Sequence, residues 1–309
     1  MILCCGEALI DMLPRQTGQG EAAFAPYTGG AVFNSAIAIA RLGVACGFFT
    51  GLSDDLFGRM LQEKLAESHV DLSLTQVSSR PTTLAFVTLA DGQAEYNFYD
   101  EGTAGRMIEP ADLPAVPGDV SAMLFGGISL VSEPCGSAYE AFMAREAQNR
   151  VIMLDPNIRP AFITDANSHR ARIARMIEKA DIIKISADDL EWFAETGSID
   201  EIIARWLERG PSLIILTDGG KGATAYTKSQ KQFVPATPVE VVDTVGAGDT
   251  FNGALLAALE GDELLTKEKI AALDEAQIAK AIAFASRAAA VTVSRAGANP
   301  PWRSELPPE

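Results

Sequence analysis

The amino-acid sequence predicts an α/β protein with a mostly parallel central sheet that helices cover on both faces. Short apolar runs are strand candidates, at residues 1–10, 46–52, 122–127, 150–155, 180–186 and 212–217. Between them lie stretches with helical spacing of apolar residues, at 31–42, 55–68, 137–149, 168–179, 199–209, 247–260 and 276–291. This alternation is typical of a parallel sheet buried on both faces. Ligands bind such sheets beyond the carboxyl ends of the strands, so we look for chemistry there.

The first apolar run, MILCCGEALI, has no basic segment before it, and Glu7 interrupts it. It is therefore predicted to be a strand rather than a signal peptide. Adjacent Cys4 and Cys5 in a strand point to opposite faces, and the four cysteines of the chain lack CxxC spacing. Disulfides and zinc sites are not expected, which favours a reduced, cytoplasmic protein.

Two segments break the strand–helix pattern. Residues 82–99 alternate apolar and polar residues around Asp91-Gly92, and this pattern is a strong signal for a β-hairpin. Residues 12–28 also lack a helical period. Together they are predicted to form a small antiparallel sheet that projects from the main domain. An edge hairpin of the central sheet is the alternative, and the pattern alone does not separate the two.

Composition limits the classes of function. The chain has 309 residues, of which 48% are hydrophobic, enough for one large core or two modest domains. Its formal net charge is −16, which argues against nucleic-acid binding through a basic surface. No apolar run reaches the ~18 residues typical of a membrane span.

Several known catalytic and nucleotide-binding motifs are absent from the sequence. The Walker phosphate loop fails because Gly222 follows Gly220-Lys221, and the dinucleotide fingerprint fails at Phe251. The two histidines, His69 and His169, lie in polar helical stretches and are expected to be solvated.

The stretch DTVGAGDTFNGALLAAL, residues 243–259, places Gly246-Ala247-Gly248-Asp249 at the start of a predicted helix. One interpretation is helix capping by the aspartate. The other is an anion site. Free N–H groups and the positive end of the helix dipole would bind a phosphate, and the carboxylate would remove a proton from an attacking hydroxyl. The motif alone leaves both open.

The wider sequence resembles the ribokinase-like (PfkB) family of sugar kinases. DTVGAGDTFNGA is similar to the second signature of that family, and TGGAVFNSAIAIARLG (28–43) is similar to the first. Further matching stretches follow in family order: GEALIDM near the start, DPNIRP at 155–160, LTDGGKGATAY at 217–226 and RAGANP at 295–300. The resemblance spans nearly the whole chain, and DPNIR looks most like the fructokinase branch. It implies a ribokinase-like three-layer sandwich, in one domain of residues 1–309 with a β-lid from about 12–28 and 82–106.

The resemblance also implies roles for individual residues. Asp249 would be the catalytic base, and the N–H groups of Gly246, Ala247 and Gly248 would form the anion hole. The sugar would be bound by Asp11 at the end of the first strand and by a further set of residues, Gly29, Gly30, Asn34, Asn157 and Arg159. Without the family, Asp11 would be interpreted as a surface charge at a strand end, and Arg159 as an exposed arginine after a turn.

ATP would be bound by Gly246 and Gly248 together with a second set of residues, Lys184, Ser186, Thr217, Gly219, Gly220 and Gly222. Two alternatives stay open here. Lys184 could instead pair with Asp181 or Asp189 at the surface, and TDGGKG could be only a turn between two strands.

The sequence departs from the family pattern at two places. Many members carry Asn-x-x-Glu near the metal, whereas this chain has Ser186-Ala187-Asp188-Asp189. Asp189 is then expected to act on Mg²⁺ through water. A monovalent cation such as K⁺ would be bound by Asp243, Val245, Thr292, Arg295 and Gly297. Pro301 stands where some members have serine, which removes one oxygen ligand.

The resemblance therefore implies an ATP-dependent sugar kinase that transfers the γ-phosphoryl group to a sugar hydroxyl. The fructokinase branch implies D-fructose and fructose 6-phosphate, with a homodimer formed through the lid. Two alternatives remain. A 2-keto-3-deoxygluconate kinase would need cations for the sugar carboxylate, and Arg106 and Arg159 are candidates. A non-catalytic sugar-binding regulator is the other alternative.

Overall fold

The computed structural model describes residues 1–90 and 93–306. Within these residues, eight strands form one large sheet in the order β14-β13-β12-β11-β10-β9-β1-β4. Their bounds are β1 Ile2–Cys5, β4 Cys46–Phe49, β9 Ala122–Gly126, β10 Val151–Asp155, β11 Ile182–Ser186, β12 Leu213–Thr217, β13 Gly222–Tyr226 and β14 Lys231–Pro235. The six strands from β12 to β4 are parallel, and β13 and β14 pair antiparallel at one edge. The predicted mostly parallel sheet is confirmed.

Helices cover both faces of this sheet. On one face lie α1 (Ala31–Arg41), α2 (Leu56–Glu67), α7 (Ala247–Gly261), α8 (Lys267–Ala271) and α9 (Glu275–Val293). On the other lie α3 (Cys135–Glu146), α4 (Ala166–Ile177), α5 (Ala187–Trp192) and α6 (Ile199–Arg209). Successive residues of the central strand β1 enter opposite cores, as the two-residue period of a strand requires. The result is the expected three-layer sandwich. No helix in the described ranges has the length and apolar character needed to cross a membrane.

Two strand predictions were wrong because each run contains a break. Residues 1–10 form two strands in different sheets, since β1 ends at Cys5 and β2 (Leu9–Gln16) begins in the small sheet. Between them Glu7 turns inward, and its carboxylate accepts a hydrogen bond from the Ala31 amide at 2.8 Å. Residues 46–52 divide in the same way at Thr50, because β5 (Gly51–Ser53) pairs with β6 (Gln76–Ser78) in a separate ribbon.

The small sheet has the order β3-β2-β7-β8, with β3 at Ala22–Gly29, β7 at Leu84–Ala90 and β8 at Gln93–Tyr99. It is separate from the central sheet, so the edge-hairpin alternative is wrong. Its two hairpins are antiparallel within themselves, but β2 and β7 pair in parallel, contrary to the prediction. β2 runs from buried Leu9 and Ile10 to exposed residues at its end, and β7 pairs with its first half. The predicted Asp91-Gly92 turn lies outside the described residues.

His169 is buried, with 3% of its surface exposed, whereas we expected it to be solvated. It lies on the face of α4 that packs against the core, and its ring contacts the Trp192 ring edge-on at 5.8 Å. His69 is exposed as expected.

Helices α1 and α7 pack closely at Gly253, which makes this position sensitive to substitution. A Cβ at Gly253 would lie 2.7 Å from both the Ser35 carbonyl oxygen and the Ala38 Cβ. We expect Gly253→Ala to destabilise the protein by about 1–3 kcal/mol through overpacking. Gly261→Ala is the matched control in the same helix, because a Cβ there meets nothing within 4 Å. Equal melting temperatures for the two variants would contradict the close packing.

Candidate active site

The predicted site residues meet at the carboxyl ends of β1, β9, β10 and β11, beside the N-termini of α1 and α7. A cavity of about 470 Å³, here called the polar cavity, opens at this edge of the sheet. Of the predicted residues, those that line it are Asp11, Gly30, Asn34, Asn157, Arg159, Lys184, Ser186, Asp189, Val245, Gly246, Ala247, Gly248 and Asp249. The expected position beyond the strand ends is therefore found.

The first turn of α7 begins at Gly246, whose φ of 77° lies in the left-handed region that favours glycine. A side chain there would also collide with Ala298, since its Cβ would lie 2.6 Å from that methyl group. No side chain caps the helix, and Asp249 lies inside its first turn. The capping interpretation of Asp249 is therefore wrong.

The carboxylate of Asp249 is buried and faces the polar cavity. Its Oδ2 accepts a hydrogen bond from Asn34 Nδ2 at 2.9 Å, and its carbonyl oxygen accepts one from Ser35 Oγ at 3.0 Å. Burial raises the pKa of Asp249 to about 7, aided by the nearby charge of Asp155 and opposed by the Asn34 bond. A carboxylate with a pKa near neutrality is suited to accept a proton at physiological pH.

Of the three amides predicted to form the anion hole, one is already hydrogen-bonded within the protein. The Ala247 N–H already donates to the Thr244 carbonyl oxygen at 3.3 Å. Within the described part of the chain, the amides of Gly246 and Gly248 have no such partner. A cation lies close by, because the Cβ that Gly248 lacks would be 3.1 Å from Lys184 Nζ. The anion site thus combines two amides with a buried ammonium group.

Lys184 is buried and pairs with Asp155, with 3.1 Å between Nζ and Oδ2. Both alternatives for its partner were wrong. Asp181 pairs with Lys267 instead, and Asp189 Oδ1 accepts a hydrogen bond from the Ile158 amide at 3.1 Å.

We expected Asp11 to close the first strand. Instead, β1 ends at Cys5 and Asp11 lies within β2. Burial raises its pKa to about 6, and the charge of Arg159 opposes this shift. Gly29 makes room for its carboxylate, since a Cβ at Gly29 would lie 2.4 Å from Asp11 Oδ2. Asp11 therefore faces the polar cavity rather than acting as a surface charge at a strand end.

The loop after β10 places Asn157 and Arg159 beside the polar cavity. Asn157 is buried with a φ of 45°, a left-handed conformation that asparagine tolerates better than most residues. Arg159 is exposed, and its guanidinium donates to the Ile158 carbonyl oxygen at 3.0 Å.

A second cavity of about 410 Å³, here called the apolar cavity, adjoins the first and shares Thr244, Ala247 and Gly248 with it. Predicted residues Thr217, Gly219, Gly220 and Gly222 line it. The TDGGKG stretch is also a turn between antiparallel β12 and β13, so both interpretations hold. The sequence analysis missed the apolar wall, which is formed by Val239, Val241, Phe251, Ala289, Ala290 and Val293. The run of valines in PVEVV, residues 238–242, was the available signal.

Further residues of the polar cavity were missed, among them Glu7, Tyr96 and Phe98. Glu7 binds the N-terminus of α1, and burial raises its pKa. Tyr96 and Phe98 of β8 stack at 6.0 Å and cover the cavity on the side of the small sheet. The aromatic content of residues 82–99 was the signal for these two.

The two segments predicted to bind a monovalent cation, around Asp243 and around Gly297, lie next to each other. Asp243 accepts hydrogen bonds from the Gly297 amide at 2.8 Å and from the Val245 amide at 3.0 Å. Arg295 forms an ion pair with Glu305, and the buried hydroxyl of Thr292 bonds that of Thr250 at 2.9 Å. Across residues 1–90 and 93–306, no group of three or more His, Cys, Asp or Glu side chains is placed to hold a metal ion.

Comparisons with known proteins agree with this geometry. The sequence model for pfkB family carbohydrate kinases matches residues 1–305. A fructokinase of Rhizobium leguminosarum bv. trifolii is 58% identical over 275 residues, which cover 89% of this chain and 84% of that protein.

Solved structures give the same result. A fructokinase of Xylella fastidiosa with bound ATP superposes with a TM-score of 0.89 at 29% identity, covering 99% of this chain and 94% of that one. A fructokinase of Vibrio cholerae O395 with fructose, ADP and calcium bound has a TM-score of 0.83 at 28% identity, covering 96% and 94%. The matched fold, the two adjoining cavities and the extent of the sequence match lead to one conclusion: the chain belongs to the pfkB family of carbohydrate kinases.

Proposed function

We propose that this kinase is a fructokinase, which transfers the γ-phosphoryl group of ATP to the 6-hydroxyl of D-fructose. The observation that carries the proposal is the position of Asp249. Its buried carboxylate lines the polar cavity, which is suited to a sugar. Ala247 and Gly248 of the same helical turn line both this cavity and the apolar cavity, which is suited to a nucleotide base. The name of the Rhizobium relative and the fructose held in the Vibrio structure support the choice of sugar.

In the proposed reaction, Asp249 takes the proton from the sugar hydroxyl. The hydroxyl oxygen then forms a bond to the γ-phosphorus while the bond from that phosphorus to the β-phosphate oxygen breaks, and ADP leaves with the bonding electron pair. Negative charge on the transferring group is stabilised by the amides of Gly246 and Gly248 and by the Lys184 ammonium. The pKa of Asp249, about 7, leaves a large fraction of the base ionised at neutral pH.

The polar cavity favours a neutral sugar over an acidic one. Among the described residues that line it, the cations are Arg159 and Lys184, and the second is paired with Asp155. Arg106, a candidate for binding a carboxylate, lies outside this cavity and pairs with Asp100 at 3.1 Å. Asp11 would repel a sugar carboxylate, whereas it can accept hydrogen bonds from two sugar hydroxyls.

The proposed nucleotide site places the base in the apolar cavity, against the valines and alanines of its wall. The phosphates would extend past Gly248, where the two cavities meet. A residue without a side chain at this junction lets the phosphates approach the backbone.

Magnesium is part of the proposal, and the residues fit a weakly protein-bound ion. Asp189, with help from Ser186, would hold Mg²⁺ through water, while the phosphates supply its other ligands. When bound, the ion neutralises charge on the phosphates. Activation by K⁺ is not proposed, because Pro301 stands where some family members supply a serine oxygen ligand.

We further propose one domain of residues 1–309, in which the small sheet (about 12–28 and 82–106) acts as a lid that excludes water from the sugar. Its outer face carries an aromatic cluster of Phe24, Phe86 and Tyr99, with Phe24 and Tyr99 exposed by 43% and 62%. Exposed aromatic residues of this kind are suited to a homodimer interface.

The substrate assignment predicts that D-fructose gives the highest kcat/KM among D-fructose, ribose, adenosine and 2-keto-3-deoxygluconate. ADP release with ATP as donor is the measurement, and Asp249→Asn is the inactive control for every sugar. A preference for 2-keto-3-deoxygluconate would replace fructose with the acidic sugar. Sugar binding without ADP release would support the non-catalytic regulator.

The base assignment predicts opposite effects on activity and stability. Asp249→Asn should lower kcat by about 10²–10⁴-fold. The pKa of Asp249 is raised from 3.8 to about 7, so the folded state binds more protons than the unfolded state between these values. Wild-type stability then falls as pH rises through this range, whereas asparagine does not titrate. The melting temperature of the variant should therefore exceed that of wild type increasingly from about pH 4 to about pH 7. A variant that keeps half of the wild-type kcat would refute the assignment.

The assignment of Arg159 to the substrates predicts at least about a tenfold fall in kcat/KM for Arg159→Ala, equal to about 1.4 kcal/mol. Arg159→Lys should also be impaired, because lysine keeps the charge but loses the planar fork. Melting temperatures should match wild type, since Arg159 is exposed. Arg175→Ala is the control, because that arginine is also exposed but pairs with Glu140 away from the cavity. Unchanged kinetics in Arg159→Ala would show an arginine with no substrate role.

A further inference from the structure

A buried cluster lies directly beneath the anion site. Lys184 stands within β11 between Ile183 and Ile185, both fully buried, and is itself 4% exposed. An ammonium group in such surroundings needs a fixed partner, because transfer of an unpaired charge out of water is costly. Its partner is Asp155, the last residue of the neighbouring strand β10, which is 3% exposed.

Asp155 is held from three elements of the fold. Its Oδ2 accepts hydrogen bonds from Lys184 Nζ on β11 at 3.1 Å and from Asn252 Nδ2 on α7 at 2.6 Å. Its Oδ1 accepts one from the Asn157 amide in the following loop at 3.1 Å. Asn252 is 2% exposed and lies one turn beyond Asp249 on the same helix. The carboxylate therefore ties the lysine to the helix that carries the proposed base.

The ammonium group keeps donors for a ligand. A lysine has three N–H donors, and within the described residues Asp155 is the one hydrogen-bond acceptor that Lys184 Nζ reaches. Nζ lies 3.1 Å from the point where a Gly248 Cβ would stand, and Lys184 lines the polar cavity. The remaining donors thus share a space with the amides of Gly246 and Gly248, where a phosphate would bind.

We propose that Asp155 and Asn252 are positioning residues that hold the Lys184 ammonium under the first turn of α7, where it binds the β- and γ-phosphates of ATP. The inference rests on the proposed kinase function and adds to it the residues that fix the phosphate-binding cation. It also gives a reason for glycine at position 248, since a Cβ there would lie 3.1 Å from Lys184 Nζ and crowd the ammonium.

The charges around Lys184 explain why the carboxylate is needed. Burial by itself lowers the pKa of Lys184, and the carboxylates of Asp155 on β10, Asp189 on α5 and Asp249 on α7 reverse this and raise it above its ordinary value. Asp155 is the largest of these opposing influences. Loss of its charge removes the fixed partner of the buried ammonium and leaves the lysine side chain free to move.

The test measures nucleotide binding and needs no sugar. Binding of the non-hydrolysable analogue AMP-PNP and of AMP is measured by calorimetry with excess Mg²⁺. We expect Asp155→Asn to weaken AMP-PNP by about tenfold or more, the value of a charge-assisted hydrogen bond, and to leave AMP within about twofold. Equal weakening of both nucleotides would overturn the proposal, because a general structural defect has that effect.

A double-mutant cycle links Asp155 to Lys184. Lys184→Met should weaken AMP-PNP by a similar factor, and Asp155→Asn added to it should cost less than about twofold more, since the cation is already absent. Multiplicative losses would overturn the proposal. If Asp155→Asn alone fails to fold, the double variant with Lys184→Met can still be measured, because it removes both buried charges together. Asn252→Ala then takes the place of Asp155→Asn in a second cycle with Lys184→Met.

The cycle separates this inference from the choice of substrate. If fructose is not phosphorylated but the cycle holds, the sugar assignment fails and the positioning role stands. If wild type binds AMP-PNP no more tightly than AMP, the positioning role is overturned whatever the sugar.

Discussion

The hydrogen bond from Asn34 to Asp249 joins the two helices on which both cavities depend. It spans 215 residues of sequence and is supported by Ser35, which donates to the backbone of Asp249. The close packing at Gly253 brings α1 and α7 near enough for this contact. One helix then carries Asn34, which lines the polar cavity, while the other begins at the junction of the polar and apolar cavities. Relative movement of the two helices would separate the proposed base from its substrate site.

Much of the fold follows from local sequence pattern. The alternation of apolar strands and amphipathic helices predicts the sheet because its strands are buried on both faces. Breaks within apolar runs are harder to predict. The break after β1 lies at Gly6, Glu7 and Ala8. Glu7 turns inward to accept a hydrogen bond from an α1 amide 24 residues away, and this partner is not visible in the local sequence. The parallel pairing of β2 and β7 likewise depends on two hairpins that meet only in the folded protein.

Parts of the candidate site can likewise be predicted from local sequence, whereas other parts depend on residues that are distant along the chain. Glycines and the aspartate of the 246–249 stretch are visible in sequence because their residue types restrict backbone geometry and chemistry. The partner of Lys184 is not visible, since Asp155 lies on a different strand and two nearer aspartates compete for the assignment. The wall of the apolar cavity is only faintly visible. The valines of PVEVV are an apolar run that by itself indicates no ligand, and the remaining wall residues come from α7 and α9.

The small sheet consists of two hairpins whose backbones pair over a short ladder. Parallel pairing between β2 and β7 covers Ile10 to Met12 against Leu84 to Phe86, and no ladder connects the two hairpins beyond Met12 in the residues described. The hairpins also touch through side chains, since the Phe24 ring meets the Phe86 ring edge-on at 5.0 Å. Asp11 occupies the middle of the short ladder, opposite Ala85. A ligand held by Asp11 would therefore bind where the backbones of the two hairpins are joined, so that one hydrogen-bonded contact would restrain both.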